Sequence, residues 1–200
     1  MSGPRPLGSG PRPPGGARPD AQAIAALLRA RDPLAAARAA GVRPAGEVVV
    51  QRGPAPAQWL VDGDEERPLH EHRAAHAQGR PSEAALAYGA GHDPAAIAAR
   101  LAALAELAGR TGLLRAVCPV PADGTGERPG SWGVEDLTVI AACRLALPDD
   151  VAVRPHWRRL GPAACQVAVA FGATGWRIPE DDRTDAEALA AAVGRQVARA

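Results

Sequence analysis

The stretch VAVRPHWRRLGPAACQVAVAFGAT, residues 151–174, decides the fold of this chain. Val151, Val153 and Pro155 recur with period two, which is the pattern of a half-buried strand. An apolar run from Cys165 to Phe171 follows, and Gly172 stands where a glycine commonly ends a helix. The stretch therefore predicts a strand, a helix and a glycine-terminated turn in succession.

The same alternation of strands and helices extends upstream. We expect strands near Ala84–Tyr88, Leu113–Pro119 and Val151–Trp157, separated by helices near Pro94–Gly109 and Val134–Leu147. Strands that are separated by helices of this length pair in parallel through right-handed crossovers. The predicted fold is therefore α/β, built of parallel βα units.

Residues 72–173 also carry an ordered series of short motifs. The series consists of HRAAH at 72–76, LAYG at 86–89, IAARLAAL at 97–104, AVCP at 116–119, GVEDL at 133–137, and then Trp157, Gly161, Gln166 and Gly172-Ala173. In order and spacing it resembles the C-terminal part of the radical SAM enzymes of the futalosine route to menaquinone, aminofutalosine synthase and cyclic dehypoxanthine futalosine synthase. The resemblance covers about half of the chain and implies a barrel. Because the 200 residues fall short of the roughly 250 that a complete (β/α)8 barrel needs, we expect a partial (half) TIM-type barrel of parallel βα units.

The chemistry of that family begins with three cysteines spaced C-x3-C-x2-C, which hold a [4Fe–4S] cluster that binds and reduces S-adenosylmethionine. This chain contains only Cys118, Cys143 and Cys165, on three separate predicted elements. We therefore expect no catalytic residues, no metal and no cofactor. The resemblance then implies a degenerate, non-catalytic relative, a pseudoenzyme that acts by binding an intermediate or a partner enzyme.

In an α/β barrel, ligands bind at the carboxyl ends of the strands. On this ground a futalosine-type small molecule is expected to contact Tyr88, Gly89, His92, Pro119, His156 and Trp157. A half barrel also leaves the edges of its parallel strands unpaired, which favours a homodimer or a partner barrel enzyme.

Two other classes of function stay open. One is a small lyase or hydrolase with new acid–base chemistry, in which His92 or His156 would work with Asp93 or Glu135. The other is a functionless remnant of a radical SAM enzyme. A structure in which these side chains converge would favour the enzyme, and a chain that does not melt cooperatively would favour the remnant.

Three further patterns have a more ordinary interpretation. His72 and His76 stand at i, i+4 with His70 nearby, a spacing that can hold zinc, but the arginine-rich setting favours solvated histidines. The segment GTGERPGSWG at 124–133 lacks the lysine of a phosphate loop and predicts a mobile loop. The acidic residues at 180–185 are interpreted as charges at a helix N-terminus rather than as a cation site.

Composition excludes several classes of protein. A formal net charge of +1 and an aromatic content of 3% argue against nucleic-acid binding. The sequence has no run of 18 apolar residues and no charged start followed by an apolar signal core, so we expect a cytoplasmic protein with no membrane contact.

The chain divides into five segments. Residues 1–19 predict a disordered Pro/Gly/Arg-rich tail. Residues 20–52 predict two helices and a strand at Val48–Val50, and residues 53–69 a linker with a short strand at Gln58–Val61. The partial barrel domain then spans residues 70–176. Residues 177–200 complete the chain as an acidic turn and a C-terminal helix at Ala186–Val193.

Overall fold

The structure is a computed structural model, and it describes residues 18–53, 66–89, 91–123 and 133–199. The predicted tail up to residue 17, the short strand at 58–61 and the loop at 124–132 lie outside the described residues. The helices are α1 Ala21–Leu28, α2 Pro33–Ala39, α3 Leu69–Ala77, α4 Pro94–Thr111, α5 Val134–Ala146, α6 Trp157–Ala168 and α7 Ala186–Ala191, with a 3₁₀ turn at Val169–Phe171. The strands are β1 Glu47–Arg52, β2 Ser82–Tyr88, β3 Leu114–Pro121, β4 Ala152–Val153, β5 Gly175–Ile178 and β6 Gln196–Arg199.

These strands form two parallel three-stranded sheets, in the orders β5-β1-β6 and β2-β3-β4. Thr174, just ahead of β5, joins the two sheets through its backbone. Its N–H donates to the Val153 carbonyl at 2.9 Å, and its own carbonyl accepts from Val49 N–H at 3.0 Å. Among the described residues no pairing joins β2 to β6, so no closed barrel is found there. The α/β class and the parallel pairing predicted from the sequence are confirmed.

Several of the helices begin at an aspartate cap. The carboxylates of Asp20, Asp32 and Asp93 each accept a backbone N–H in the first turn of α1, α2 and α4, at 2.8 to 3.0 Å. Proline occupies an early position in α2 and α4, where its fixed φ suits a helix and its missing N–H costs nothing. The alternating series β2, α4, β3, α5 and β4 therefore forms at the predicted places.

The predicted strand at Val151–Trp157 is too long. Only Ala152 and Val153 pair with β3, and Trp157 already begins α6. The His156 ring Nδ1 accepts the Arg159 N–H at 3.2 Å and so caps this helix. The helix start was missed because Gly161-Pro162 suggests a break, and the structure does show a kink at Gly161, with φ 78°.

Two strands were not predicted. β5 and β6 lie in the last quarter of the chain and pair in parallel on either side of β1. The predicted C-terminal helix is present but ends at Ala191, two residues early. The first and last segments of the chain therefore complete one sheet between them.

One face of the sheets packs under the helices. Ala84, Leu86 and Tyr88 of β2 are fully buried there, and they belong to the same apolar cluster as Leu101 and Leu104 of α4. A second cluster holds Val48 of β1 and Trp176 of β5 with Trp157 and Cys165 of α6. This packing fixes which strand positions face the helices and which face the opposite side.

Among the helices formed by the described residues, none combines the length and the apolar character that crossing a bilayer requires.

Gly172 is the glycine whose replacement should cost most. Its φ is +94°, and an added Cβ would lie 2.7 Å from Cβ and 2.6 Å from Cγ of Arg144. Arg144 cannot easily yield, because its guanidinium donates to the carbonyls of Val151 and Leu147. Gly41 has nearly the same φ, +96°, but an added Cβ there meets nothing within 4 Å.

We predict that Gly172→Ala lowers the free energy of unfolding by about 2 to 4 kcal/mol, from left-handed strain together with the steric clash. Gly41→Ala should cost only the strain, about 1 to 2 kcal/mol. Urea denaturation of both variants measures the difference. Equal losses would show that the Arg144 side chain moves aside at no cost.

Candidate functional site

The face of the sheets opposite the helices is named here the inner face. Parallel register places Glu83 and Ala85 of β2 beside Ala116 and Cys118 of β3. In the other sheet, Val49 and Gln51 of β1 lie beside Gly175 and Arg177 of β5. Ala152 of β4 pairs with Ala116, so Arg154, two residues later, has the same orientation. The inner face therefore includes Glu83, Ala85, Ala116, Cys118, Val120, Arg154, Gly175, Arg177, Val49 and Gln51.

Charged side chains from both sheets meet on this face. Arg154 Nη1 donates to Oε1 of Glu83, and Arg177 Nη2 lies 2.7 Å from Oε2 of the same carboxylate. Arg177 Nη2 also donates to Gln51 Oε1 at 3.3 Å. The exposed fractions of the side chains are 4% for Glu83, 9% for Arg154 and 23% for Arg177. This network is named here the inner-face arginine pair with its Glu83 bridge.

Burial acts on this network electrostatically. Removal from water lowers the pKa of Arg154, while the Glu83 carboxylate opposes that change by favouring the charged guanidinium. A buried arginine persists because its carboxylate partner offsets much of the desolvation cost.

The structure places Tyr88 and Pro119 on the helix-packed side rather than on the inner face. Tyr88 is fully buried and its hydroxyl donates to Asp136 Oδ1 of α5 at 2.7 Å. Pro119 pairs with Leu86, which shares that side. Gly89 follows in a turn with φ 99°, and His92 beyond it is exposed. The sequence located the end of β2 correctly, but not the end of β4 nor the face on which each side chain lies.

His156 and Trp157 serve the start of α6. His156 is the cap already described, and Trp157 is buried with its ring centroid 5.9 Å from that of Trp176. The Trp157 Nε1–H donates to Asp182 Oδ2 at 2.7 Å. Hydrogen bonds from Thr184 and then from Trp157 lower the pKa of Asp182 to about 2. Trp157 also lines a cleft of about 310 Å³, together with Arg158, Gly161, Pro162, Pro179, Asp181 and Asp182.

The acidic residues near position 182 have structural partners. Asp181 pairs with Arg158 at 2.8 Å, and Asp185 accepts the Ala188 N–H at 3.0 Å as the cap of α7. The helix interpretation is thus confirmed for Asp185. Asp181 and Asp182 instead hold α6 against the segment that follows β5.

The four proposed acid–base residues do not converge. Asp93 caps α4 and pairs with Arg29 at 3.2 Å, while His156 caps α6. Burial raises the pKa of Glu135, the neighbouring Asp136 raises it further, and the positive charge of His92 opposes both. His92 and Glu135 therefore lie close enough to interact electrostatically, but within the described part of the chain no hydrogen bond joins them.

The prediction of solvated histidines is wrong for His72 and His76, which are buried in α3, although His70 is exposed. Ser82 Oγ lies 2.9 Å from His72 Nδ1 and 2.9 Å from His76 Nε2. The other nitrogen of His76 lies 2.8 Å from Thr111 Oγ1. The burial of the two histidines was not predicted, because their buried partner, Ser82, comes from the next strand.

The tautomers follow from the hydrogen bonds. Thr111 donates to the Leu107 carbonyl, so it accepts from His76 Nδ1–H. His76 Nε2 then carries a lone pair that accepts from Ser82, and Ser82 accepts from His72 Nδ1–H. His72 Nε2 is left as a buried lone pair with no hydrogen-bond partner among the described residues. Burial, Arg100 and His76 lower the pKa of His72 to about 4.

Across the described ranges there is no group of three or more His, Cys, Asp or Glu side chains arranged to hold a metal ion. In particular, the two buried histidines contact hydroxyl groups rather than a third ligand of this type.

No protein-family model and no curated protein matches the chain.

The buried histidines predict a specific dependence of stability on pH. Because the folded pKa of His72 lies below its ordinary value of 6.5, the unfolded state takes up the proton first. The stabilisation is complete above about pH 6.5 and is lost as the pH falls toward 4, by on the order of 3 kcal/mol.

We expect His72→Gln to remove this component, because glutamine does not titrate in that range. Chemical denaturation between pH 7 and pH 4 measures the slope. His70→Gln, at an exposed position of the same helix, should keep the wild-type slope. If His72→Gln kept the full slope, the proton uptake would belong to other groups.

Proposed function

We propose that this chain is a degenerate, non-catalytic relative of the radical SAM futalosine-pathway enzymes of menaquinone biosynthesis, which acts by binding an intermediate or a partner enzyme. One observation carries the proposal. The resembling motifs follow the order of the βα units, with HRAAH in α3, LAYG at the end of β2, IAARLAAL in α4, AVCP in β3 and GVEDL at the start of α5.

The partial, half TIM-type barrel is part of the same proposal. Three parallel strands in the order β2-β3-β4, connected by α4 and α5, are the repeating unit of such a barrel. The helices pack on one side of these strands, as the outer ring of a barrel does. The inner face then corresponds to the inside of the barrel.

The cysteines do not fit a [4Fe–4S] cluster. Cys118 lies in β3, Cys143 in α5 and Cys165 in α6, so the three cannot come from one cluster loop. Cys143 and Cys165 are fully buried, and burial raises the pKa of both thiols, which keeps them protonated. Iron ligation needs thiolates, so these residues support a role without radical chemistry.

Of the residues proposed as ligand contacts, His92 and His156 retain the exposure that contact requires. The other four proposed contacts are buried beneath the rim: Tyr88, Gly89, Pro119 and Trp157. A futalosine-type molecule at the carboxyl ends of the strands would thus touch the two histidines and rest on the buried residues. The chain's own part is to bind and orient it.

One observation favours the acid–base alternative. Glu135 has a raised pKa and stands near His92 at the rim, which is the kind of environment that prepares a carboxyl group for proton transfer. A lyase or hydrolase would convert the bound compound, whereas a binding protein would return it unchanged. Mass spectrometry after incubation separates the two, with Glu135→Gln as the inactive control.

β2 and β6 each have an unpaired edge, which is relevant to whether the chain binds a protein partner. Each of these strands pairs on one side only within the described residues. Edges of this kind favour association with a second chain, so a homodimer or a partner barrel enzyme belongs to the proposal. Light scattering at high concentration tests the homodimer, and a monomer there would contradict it.

We predict that a futalosine-type compound raises the melting temperature of the purified protein. Saturation to 100 times the dissociation constant adds about 2.7 kcal/mol, which is a shift of roughly 5 to 10 °C for a domain of this size. The measurement is a thermal melt with aminofutalosine, dehypoxanthine futalosine or S-adenosylmethionine, and only the first two should act.

Adenosine serves as the matched control compound, since nonspecific nucleoside binding would shift the melt equally. If the protein melts cooperatively and no compound changes its melting temperature, the proposal of a small-molecule ligand is rejected and that of a partner enzyme remains. Absence of a cooperative transition would reject both and indicate the functionless remnant.

A further inference from the structure

We propose that the inner-face arginine pair with its Glu83 bridge is an anion-binding site that takes the carboxylate group of a small organic acid. The inference does not depend on the futalosine resemblance, because it rests only on the charges, hydrogen bonds and exposure of the inner-face side chains.

The first step is the charge. Arg154 and Arg177 bring two positive charges, and Glu83 brings one negative charge. Gln51, which also belongs to the network, is neutral, and Glu47, on the same face of β1, is exposed at the start of the strand. The network itself therefore carries one surplus positive charge and is largely buried. Uncompensated buried charge is unfavourable, so a bound anion would stabilise this arrangement.

The second step is an unused donor. Arg154 Nη1 is engaged by Glu83, but Arg154 Nε is buried and has no hydrogen-bond partner among the described residues. The side chain that carries it is 9% exposed. Buried N–H donors are nearly always satisfied, so an orphaned one calls for an occupant. The Nε side of a guanidinium is one of the edges that bind a carboxylate with two parallel hydrogen bonds.

The third step is access to the network. Arg177 is 23% exposed, so the network reaches solvent on the β5 side. Gly175, two residues before Arg177 in the same strand, has no side chain, and an added Cβ would lie 3.5 Å from Arg154 Nε and too close, 2.8 Å, to the Val49 carbonyl oxygen. Ala85 and Val120 form a small apolar cluster elsewhere on the same face, which suits an apolar body attached to the carboxylate.

The charge count selects the class of anion. A single carboxylate neutralises the surplus charge, whereas a phosphate dianion would replace it with a negative one. A carboxylate is also planar, as the guanidinium edge is. The inference is therefore a monocarboxylate, and phosphate is the alternative to be excluded.

The experiment compares butyrate with its uncharged analogue butyramide, and with inorganic phosphate, at constant ionic strength. Titration followed by NMR of the intact chain should show saturable binding of butyrate and none of the other two. Binding of phosphate but not butyrate would overturn the carboxylate assignment. Absence of saturable binding by any of them would overturn the site.

Arg177→Gln is the main variant, because Arg177 is the more exposed member of the pair and its loss should leave the chain folded. Removing one charged donor should weaken butyrate binding about 10- to 100-fold. Arg158→Gln makes the same charge change at an exposed arginine paired with Asp181, and it should bind as the wild type does. Unchanged binding by Arg177→Gln, or equal loss in both variants, would contradict the proposal.

The butyrate titration and the futalosine melts test the two proposals independently. Butyrate binding without any futalosine effect would support the anion site and reject the ligand proposed above. A futalosine effect without any butyrate binding would support the ligand proposed above and overturn the anion site.

Discussion

The contact of one carboxylate with two guanidinium groups holds the inner face together. Glu83 comes from the first strand of one sheet, and its partners Arg154 and Arg177 follow β4 and lie in β5. A buried ion pair is seldom more stable than well-packed apolar residues, but breaking one costs about 3 to 5 kcal/mol. Such a network therefore contributes specificity: a sheet arrangement that separated Glu83 from the arginines would leave buried charges unpaired.

The backbone junction at Thr174 works with this network. Its carbonyl and N–H connect β1 and β4, and its side-chain Oγ1 accepts the Val153 N–H at 3.0 Å. The next residue, Gly175, is the one whose missing side chain lets the Val49 carbonyl and the Arg154 side chain lie close to β5. The residue that joins the two sheets is thus adjacent in sequence to one that packs against the arginine network, so the fold and the candidate site depend on the same few positions.

Local sequence predicted the parts of the fold that local interactions determine. The capping carboxylates, the early prolines and the glycine after the 3₁₀ turn each act within a few residues, and the helices they delimit formed as expected. β5 and β6 were not predicted, because their pairing with β1 spans more than 120 residues of sequence. The inner face was not predicted for a similar reason. Glu83 and Arg154 occupy alternating strand positions, but the sequence does not show that they meet.

The choice between binding and catalysis depends on how the titratable groups are placed. Tyr88, His156, Trp157 and Asp93 each make a hydrogen bond that holds the fold, and a group committed in this way cannot also transfer a proton without disturbing its element. His72 and His76 are buried around Ser82, away from solvent. His72 Nε2 and Arg154 Nε are a buried lone pair and a buried donor that have no hydrogen-bond partner among the described residues. The donor belongs to a network with a surplus positive charge, which suits an anion, and on this ground we propose binding rather than bond cleavage as the work of this chain.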